Sequence, residues 1–174
     1  MNLPHASEAR LAAVWRRCHP GDVARDAGAV FAEVAAHYAA SAVHIGGPDL
    51  EAMLGAVALS GGERLLDAGC GTGHTALAFA PHVASVVALD LTEAMLSQGR
   101  RLASERGIGN IDFQQGDVEQ LPFPDASFDI VTSRYSAHHY PRPQAALAEF
   151  ARVLRPGGTF LLVDVIAPEV PVQD

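Results

Sequence analysis

The sequence LLDAGCGTGHTAL occupies residues 65–77, where two apolar residues lead into an acid and three glycines alternate with small residues. This order predicts a buried strand, a tight turn and the start of a helix. Glycines at positions 69, 71 and 73 permit positive φ angles and let the backbone approach a ligand closely. Asp67, at the strand end, can meet a cationic group on that ligand. A nucleotide site also needs a second acid about 20 residues on, for a ribose hydroxyl. Asp90 supplies it, at the end of the next apolar strand.

The spacing of the glycines distinguishes between classes of nucleotide. A dinucleotide fingerprint has the pattern G-x-G-x-x-G. Counted from Gly69 or from Gly71, that pattern fails, because His74 and Ala76 stand where its last glycine would be. The glycine spacing therefore argues against a nicotinamide-dependent oxidoreductase, which remains the less favoured alternative.

From residue 64 onward, predicted strands and helices alternate along the chain. Such alternation indicates a doubly wound α/β fold, in which a parallel sheet carries helices on both faces. The predicted strands cover residues 64–68, 85–90, 110–115, 128–133 and 159–164. The predicted helices cover residues 73–81, 93–106 and 143–154.

The first third of the chain is predicted to be helical. Two helices are expected at residues 6–18 and 22–42, and a third from Pro48 to Leu59, because proline is favoured in the first turn of a helix. We therefore divide the chain into an N-terminal helical cap or lid, residues 1–60, and a sheet domain, residues 61–174. The two parts are expected to form one structural unit.

Composition excludes several classes of function. The formal net charge is −8 and all twelve cationic residues are arginines, so the chain lacks the basic stripe expected of a nucleic-acid-binding protein. No apolar run reaches the roughly 18 residues of a membrane-spanning helix, and no secretory signal is visible. Two cysteines do not make a disulfide framework. A cytoplasmic protein is the expectation.

The glycine stretch, written D-x-G-x-G-x-G, resembles the first motif of class I S-adenosylmethionine-dependent methyltransferases. The likeness extends over about residues 30–168 and is closest to the small-molecule branch that includes the quinone C-methyltransferases. Further segments resemble the family's second strand end, adenine-binding segment, fourth strand and the turn into its fifth strand: residues 90–96, 115–123, 128–131 and 152–160.

This resemblance implies a Rossmann-like sheet of strand order 3-2-1-4-5. It also implies an enzyme that transfers the methyl group of S-adenosylmethionine to a small-molecule acceptor and releases S-adenosylhomocysteine. In-line methyl transfer requires no metal, and the sequence shows no metal site, because two adjacent histidines alone do not form one.

By the same resemblance, the first cofactor residues lie on the glycine stretch and the second strand. Asp67 is expected near the amino-acid end of the cofactor. Gly69, Gly71 and Gly73 are expected to give close backbone approach. Asp90 is expected to bind both ribose hydroxyls.

The resemblance places the adenine end of the cofactor on later segments. Leu91 or Met95 would lie against the adenine face, Asp117 would accept a hydrogen bond from the adenine amino group, and Val118 could donate its backbone N–H to a ring nitrogen. Ser133, at the end of the fourth strand, completes the expected cofactor-binding set.

Three further side chains have two interpretations each. In related enzymes a tyrosine of the N-terminal segment can reach the cofactor, as Tyr38 would here, but Tyr38 also continues an apolar stripe on its predicted helix. His138 and His139 follow the fourth strand and have suitable chemistry for proton transfer near neutral pH. One of them could act on the acceptor, or both could shape the loop.

The fifth strand is strongly apolar and is expected to be a buried central strand. The antiparallel hairpin that closes the sheet in the family is missing after it. At a sheet edge such a strand would favour association, so a longer parent chain or a homo-oligomer through this edge is expected. A non-catalytic cofactor-binding or oligomerisation domain is therefore the alternative function.

Overall fold

The computed structural model describes residues 35, 36, 39, 40 and 45–165 of the 174-residue chain. The predicted helix at residues 6–18, most of the one at 22–42, and Tyr38 lie outside the described residues. The division at residue 60 therefore stays a prediction.

Short helices and parallel strands alternate through the described chain. Two single 3₁₀ turns, Ala80–His82 and Ala137–His139, interrupt the connections. In chain order the elements are α1 (Pro48–Gly55), β1 (Arg64–Ala68), α2 (His74–Phe79), β2 (Ser85–Asp90), α3 (Glu93–Glu105), β3 (Ile111–Gln115), β4 (Phe128–Arg134), α4 (Pro143–Val153) and β5 (Leu154–Val163).

All strand pairs are parallel, and the strand order is β3-β2-β1-β4-β5. The doubly wound fold and its predicted order are confirmed. The chain runs outward from β1 in one direction through β2 and β3, and in the other through β4 and β5. At such a switch point the connections at the carboxyl ends of the strands diverge and leave a crevice, which is where open α/β sheets bind ligands.

Consecutive residues of the central strands pack into two separate hydrophobic cores, one on each face of the sheet. Leu65, Val86 and Ile130 belong to the core that packs against α1, α2 and α3. Their chain neighbours Leu66 and Val87 belong to the core that packs against α4. Because successive strand residues point to opposite faces, a strand with apolar residues throughout must be covered on both sides. The two helical layers hold the carboxyl ends of the strands fixed.

Some element boundaries differ from the predicted ones. Helix α1 ends at Gly55 rather than at Leu59, because glycine is a poor helix former and a turn follows. Helix α2 is shorter than predicted, because Pro81 lacks the N–H that an α-helix needs and lies in a 3₁₀ turn. Strand β5 begins at Leu154, and the predicted turn at residues 155–158 forms an irregularity within its pairing to β4.

Strand β5 is not the buried central strand expected from its composition. Within the described part of the chain it pairs only with β4 and lies at the edge of the sheet. Its side chains are half-buried, and Leu162 is 48% exposed. Among the described residues, no helix combines the length and apolar character needed to cross a membrane.

Candidate functional site

A cleft opens at the carboxyl ends of the strands, over the switch point between β1 and β4. Its walls come from the glycine turn after β1, the ends of β2 and β3, and the segment that follows β4. The lining residues are Gly69, Cys70, Gly71, Thr72, His74, Thr75, Asp90, Leu91, Thr92, Met95, Gly116, Asp117, Val118, Arg134, Tyr135, Ser136, His139, Tyr140 and Pro141.

The three glycines of the turn all have positive φ angles, +68° at Gly69, +53° at Gly71 and +78° at Gly73, but they face different surroundings. A Cβ atom at Gly73 would lie 2.8 Å from Cε1 of Phe113. At Gly69 it would lie 2.8 Å from the hydroxyls of Ser136 and Tyr140, whereas at Gly71 it would meet no atom within 4 Å. Gly71 is therefore the position at which the backbone faces open space in the cleft, and Gly73 serves packing.

Asp90 joins the glycine turn to the end of β2. Its Oδ2 accepts a hydrogen bond from the backbone N–H of Gly71 at 2.8 Å, and its Oδ1 accepts one from Thr92 at 2.9 Å. Burial raises the pKa of this carboxyl above its ordinary value, against the lowering effect of the two N–H donors. Each carboxylate oxygen has a second lone pair, so the group can still accept hydrogen bonds from a vicinal diol in the cleft.

The expected adenine-end residues all line the cleft. Leu91 is half exposed, although it is a large apolar residue, and Met95 is buried next to it. Asp117 follows β3 and accepts a hydrogen bond at Oδ1 from the N–H of Glu119 at 2.8 Å. Val118 is buried beside it. Apolar side chains and an acid therefore lie together in the cleft lining, near the ends of β2 and β3.

Asp67, in contrast, does not line the cleft. It is 1% exposed. Its Oδ2 accepts a hydrogen bond from the N–H of Ala76 at 3.0 Å, and its Oδ1 accepts one from the hydroxyl of Thr132 at 2.9 Å. The carboxylate thus ties β1 to β4 and to helix α2, and it supports the floor of the site.

A cluster of three hydroxyls lies beneath the glycine turn. The oxygens of Ser133, Ser136 and Tyr140 are 2.8–3.0 Å apart in each pair, and Tyr140 also donates to the carbonyl of Ala68 at 3.1 Å. Burial raises the pKa of Tyr140 to about 12, so the phenol is neutral at neutral pH. Ser133 is fully buried and belongs to this hydroxyl cluster, not to the cleft wall.

The two candidate catalytic histidines lie on the 3₁₀ turn after β4, with ring centroids 3.8 Å apart. His139 lines the cleft, whereas His138 is bonded to Asp164, the residue that follows β5. Asp164 accepts hydrogen bonds from Nδ1 of His138 at 2.6 Å and from its backbone N–H at 3.0 Å. Burial acts to raise the pKa of Asp164, but these bonds outweigh it and the pKa lies below its usual value.

The cleft also contains residues that the sequence interpretation did not single out. Arg134 ends β4, is buried, and forms an ion pair with Asp49 of helix α1 at 2.5 Å. Its guanidinium lies 4.6 Å from the ring centre of Tyr135. Tyr135 has a φ of +55°, which is uncommon for a residue with a side chain. An arginine at the end of an apolar strand was the signal in the sequence that could have indicated this cluster.

Known proteins resemble this chain over the residues that form the cleft. A family profile described as a methyltransferase domain matches residues 66–162, which covers the glycine turn, the cleft and most of β5. An uncharacterized methyltransferase, YcgJ of Bacillus subtilis, is 46% identical over 144 residues, covering 83% of this chain and 57% of that protein. A quinone C-methyltransferase, UbiE of Azotobacter vinelandii, is 35% identical over 176 residues, covering 97% of this chain and 70% of that protein.

Solved structures give the same result. The crystal structure of YcgJ from Bacillus subtilis superposes with a TM-score of 0.68 at 48% identity, covering 71% of this chain and 53% of that one. The chain spans about half the length of the curated relatives it matches. The matches favour the methyl-transfer interpretation of the glycine spacing over the nicotinamide one.

Proposed function

Because the chain belongs to the methyltransferase-domain family, we propose that it binds S-adenosylmethionine, the cofactor that the family implies, in the cleft and methylates a small-molecule acceptor. The observation that carries this proposal is the pairing of Gly71 with Asp90. An open backbone position with positive φ lies 2.8 Å from a carboxylate oxygen that retains accepting capacity. This arrangement suits a ribose held against a glycine turn.

In this proposal, different residues contact different parts of the cofactor. In the proposal Asp90 accepts hydrogen bonds from the ribose hydroxyls, and Gly69 and Gly71 let the chain approach the amino-acid end. Leu91 and Met95 pack against the adenine face, while Asp117 and the Val118 N–H meet its polar edge. Asp67, Gly73 and Ser133 act from beneath, by fixing the turn and the strand ends. Tyr38 keeps its proposed role as a lid contact.

The cofactor supplies an electrophilic methyl group on a sulfonium, and the protein's task is to align the acceptor with it. Positioning of this kind can supply roughly 7–11 kcal/mol of the barrier reduction. His139 lines the cleft and is the proposed contact to the acceptor. His138 is bonded through Nδ1 to Asp164 and so helps to hold the turn that carries His139. A weakly acidic methyl acceptor could transfer its proton to a ring nitrogen of His139.

Two relatives support a small molecule as the methyl acceptor. One is the UbiE quinone C-methyltransferase, and another, 44% identical over 107 residues, is a fatty-acid O-methyltransferase of Mycolicibacterium smegmatis. Both act on molecules with an apolar body. We propose an acceptor of that character, seated beside the segment after β4.

A second candidate function is cofactor binding without methyl transfer. The crystal structure of the [4+2]-cyclase SpnF superposes on this chain with a TM-score of 0.61 at 34% identity. A fold of this class therefore hosts other chemistry, as folds commonly do. Consumption of S-adenosylmethionine distinguishes the two candidates.

Binding is tested by calorimetry with S-adenosylhomocysteine. Asp90→Ala should weaken binding by about 1.5–3 kcal/mol, the range for losing hydrogen bonds to a charged group. Asp112→Ala, at an exposed position on β3, is the matched control and should bind like the wild type. Equal affinities of Asp90→Ala and the control, in folded proteins, would show that Asp90 does not hold the ribose.

Gly71→Val is the second binding test. A β-branched side chain there would enter the open space of the cleft and would disfavour the φ of +53°. Binding should be abolished. Normal binding would show that the turn does not contact the ligand.

Catalysis is tested by screening quinols, phenols and fatty acids for production of S-adenosylhomocysteine. An acceptor that yields it identifies the reaction. If the protein binds the cofactor and no acceptor supports turnover, the binding-only candidate is favoured.

A further inference from the structure

The segment that follows β4 contains a 3₁₀ turn, Ala137–His139, whose two histidines have different surroundings. His139 lines the cleft, whereas the lining does not include His138. The ring centroids of the two histidines are only 3.8 Å apart. A contact that fixes the ring of His138 therefore also limits where the ring of His139 can lie.

The backbone of this turn is capped by a side chain from another element. A helical turn leaves its first N–H groups without an internal acceptor. The N–H groups of His139 and Tyr140 donate to carbonyls three residues earlier, at 2.9 Å and 3.1 Å. The N–H of His138 instead donates to Oδ2 of Asp164 at 3.0 Å. Asp164 thus does for the turn what a polar N-cap residue does at the start of a helix.

The carboxylate of Asp164 also binds the side chain of His138. Its Oδ1 accepts from Nδ1 of the ring at 2.6 Å and from the N–H of Val165 at 2.7 Å. Burial acts to raise the pKa of Asp164, but the bonds from His138 and Val165 outweigh it and the pKa lies below its usual value. An ionised carboxylate only accepts hydrogen bonds, so Nδ1 carries the proton of this contact. One carboxylate thereby fixes both the backbone and the ring of His138.

The sheet places Asp164 firmly beside the turn. Asp164 follows β5 directly, and the register of β4 and β5 pairs Arg134 with Val163. The N–H of Tyr135 donates to the carbonyl of Val163 at 2.8 Å, which continues this pairing one residue beyond β4. The side chain of Asp164 is 17% exposed, so water competes little for its hydrogen bonds.

The turn has a second anchor on its far side, where the hydroxyl of Tyr140 donates to the carbonyl of Ala68 at 3.1 Å. His139 lies between the two anchors. We infer that Asp164 is a positioning residue, which holds His138 by its backbone and its ring and so fixes the ring of His139 in the cleft. The inference rests on the proposed function for the role of His139 as the contact to the methyl acceptor.

Hydrogen exchange on the protein alone tests the anchor. Asp164→Ala should accelerate exchange at residues 138–140 by about 10-fold to 100-fold, because the turn loses its cap. Exchange in the central strands β1 and β4 should stay as in the wild type, which separates a local effect from a loss of global stability. Asp112→Ala, at an exposed carboxylate on β3, is the control and should match the wild type throughout.

Two variants of His138 keep the carboxylate and change only its partner. Asparagine carries its amide nitrogen on Cγ, as histidine carries Nδ1, so His138→Asn retains a donor for Asp164. Leucine has a similar size and no donor, so His138→Leu loses the side-chain bond. Exchange at residues 138–140 should be that of the wild type in His138→Asn and roughly 10-fold faster in His138→Leu. This pair decides the inference even if Asp164→Ala fails to fold.

Turnover separates positioning from proton transfer by His138 itself. With an acceptor that yields S-adenosylhomocysteine, Asp164→Ala and His138→Leu should lower kcat by about 10-fold to 100-fold, because a displacement of about 1 Å has a cost of this size. The affinity for S-adenosylhomocysteine should stay at its wild-type value. His138→Asn should retain most of the activity. Loss of turnover in His138→Asn with an intact turn would assign the proton transfer to His138 and overturn the inference.

The inference and the proposed function fail in different ways. Unchanged exchange at residues 138–140 in folded Asp164→Ala, or equal exchange in the two His138 variants, overturns the inference. A wild type that does not bind S-adenosylhomocysteine contradicts the proposed function instead. The exchange measurements are made without a ligand, so they still decide whether Asp164 holds the turn.

Discussion

At the scale of single residues, the interior charge of Asp67 has a consequence for stability. Burial raises the pKa of this carboxyl to about 6, and the hydrogen bonds from Thr132 and Ala76 only partly oppose that effect. An unfolded chain has an aspartate pKa of about 3.9. The folded protein therefore binds more protons than the unfolded chain between about pH 4 and pH 6, and the contribution of Asp67 to stability falls as the pH rises through this window.

Asp67→Asn should remove that pH dependence. Asparagine can accept from Ala76 with its oxygen and donate to Thr132 with its amide, so the contacts have neutral counterparts. As the pH rises from 4 to 7, the free energy of unfolding of the wild type should fall by roughly 2–3 kcal/mol relative to that of the variant. Urea unfolding across this range measures it, with Asp112→Asn as the exposed control. Parallel stability curves for wild type and Asp67→Asn would contradict the prediction.

A comparison of Gly73 with Gly107 separates the cost of backbone strain from the cost of overpacking when a glycine is replaced by alanine. Gly73→Ala places a methyl group at positive φ and 2.8 Å from Phe113, whereas Gly107→Ala places one at a φ of +65° in open space. We expect Gly107→Ala to cost about 1 kcal/mol and Gly73→Ala about 2–4 kcal/mol, since overpacking adds to strain. Adding Phe113→Leu to Gly73→Ala should recover part of the loss in thermal unfolding. Equal costs for the two alanine variants would exclude the packing contribution.

At the scale of elements, the connection from β3 to β4 is held by one side chain of helix α4. Arg152 donates to the carbonyls of Leu121 at 3.0 Å and Phe123 at 2.7 Å, and it pairs with Glu149 at 2.7 Å. Glu149 in turn accepts from the N–H of Leu121 at 2.8 Å. The hydrogen bonds with Glu149 raise the pKa of Arg152 further, so the cation persists at every accessible pH.

Arg152→Ala should therefore lower the free energy of unfolding more than Arg101→Ala does, because it leaves two carbonyls and the carboxylates of Glu149 and Asp125 without this donor. Arg101→Ala removes an exposed pair within α3 and should cost no more than about 0.5 kcal/mol. Hydrogen exchange should also accelerate at residues 116–127 in the first variant alone. A loss no greater than that of the control would show that the connection is held by its apolar contacts instead.

The sequence predicted most of these elements because their patterns are local. Strands β1 and β2 match the predicted residues, since each is a short apolar run bounded by polar or glycine residues. The glycine turn and the acids at positions 90 and 117 could be placed at the cleft for the same reason. The edge position of β5 could not, because the composition of a strand does not specify what lies beside it.

At the scale of the whole molecule, part of the site depends on contacts between distant segments. Arg134 meets Asp49, which is 85 residues away in the chain. Asp67 meets Thr132, which is 65 residues away. The register of β1 and β4 places these last two residues side by side, so the acid turns into the protein rather than into the cleft. Local sequence patterns carry no information on such pairings.

The exposed edge of the sheet leads to a prediction about assembly. Leu162 on β5 is 48% exposed and Val165 beyond it is 63% exposed, and apolar edge strands favour pairing with another chain. We expect the sedimentation coefficient to rise with protein concentration, and Leu162→Glu to reduce that rise. Leu147→Glu is the control, at a position on α4 that is 47% exposed. A sedimentation coefficient independent of concentration would contradict self-association through β5.

The hydroxyl cluster beneath the glycine turn has more contacts than hydrogen atoms. The cluster has three hydroxyl protons, one each on Ser133, Ser136 and Tyr140. Its oxygens make five hydrogen-bond contacts, counting those to the carbonyl of Ala68. Several arrangements of the hydroxyl protons are therefore compatible with the same positions of the oxygen atoms. The protons of the cluster thus retain configurational entropy although its heavy atoms are fixed. After Ser133→Ala, two protons still have three contacts to choose from. The decrease in the free energy of unfolding should thus be about that of one hydrogen bond, about 1 kcal/mol. Ser136 and Tyr140 should still contact the carbonyl of Ala68 beneath Gly69.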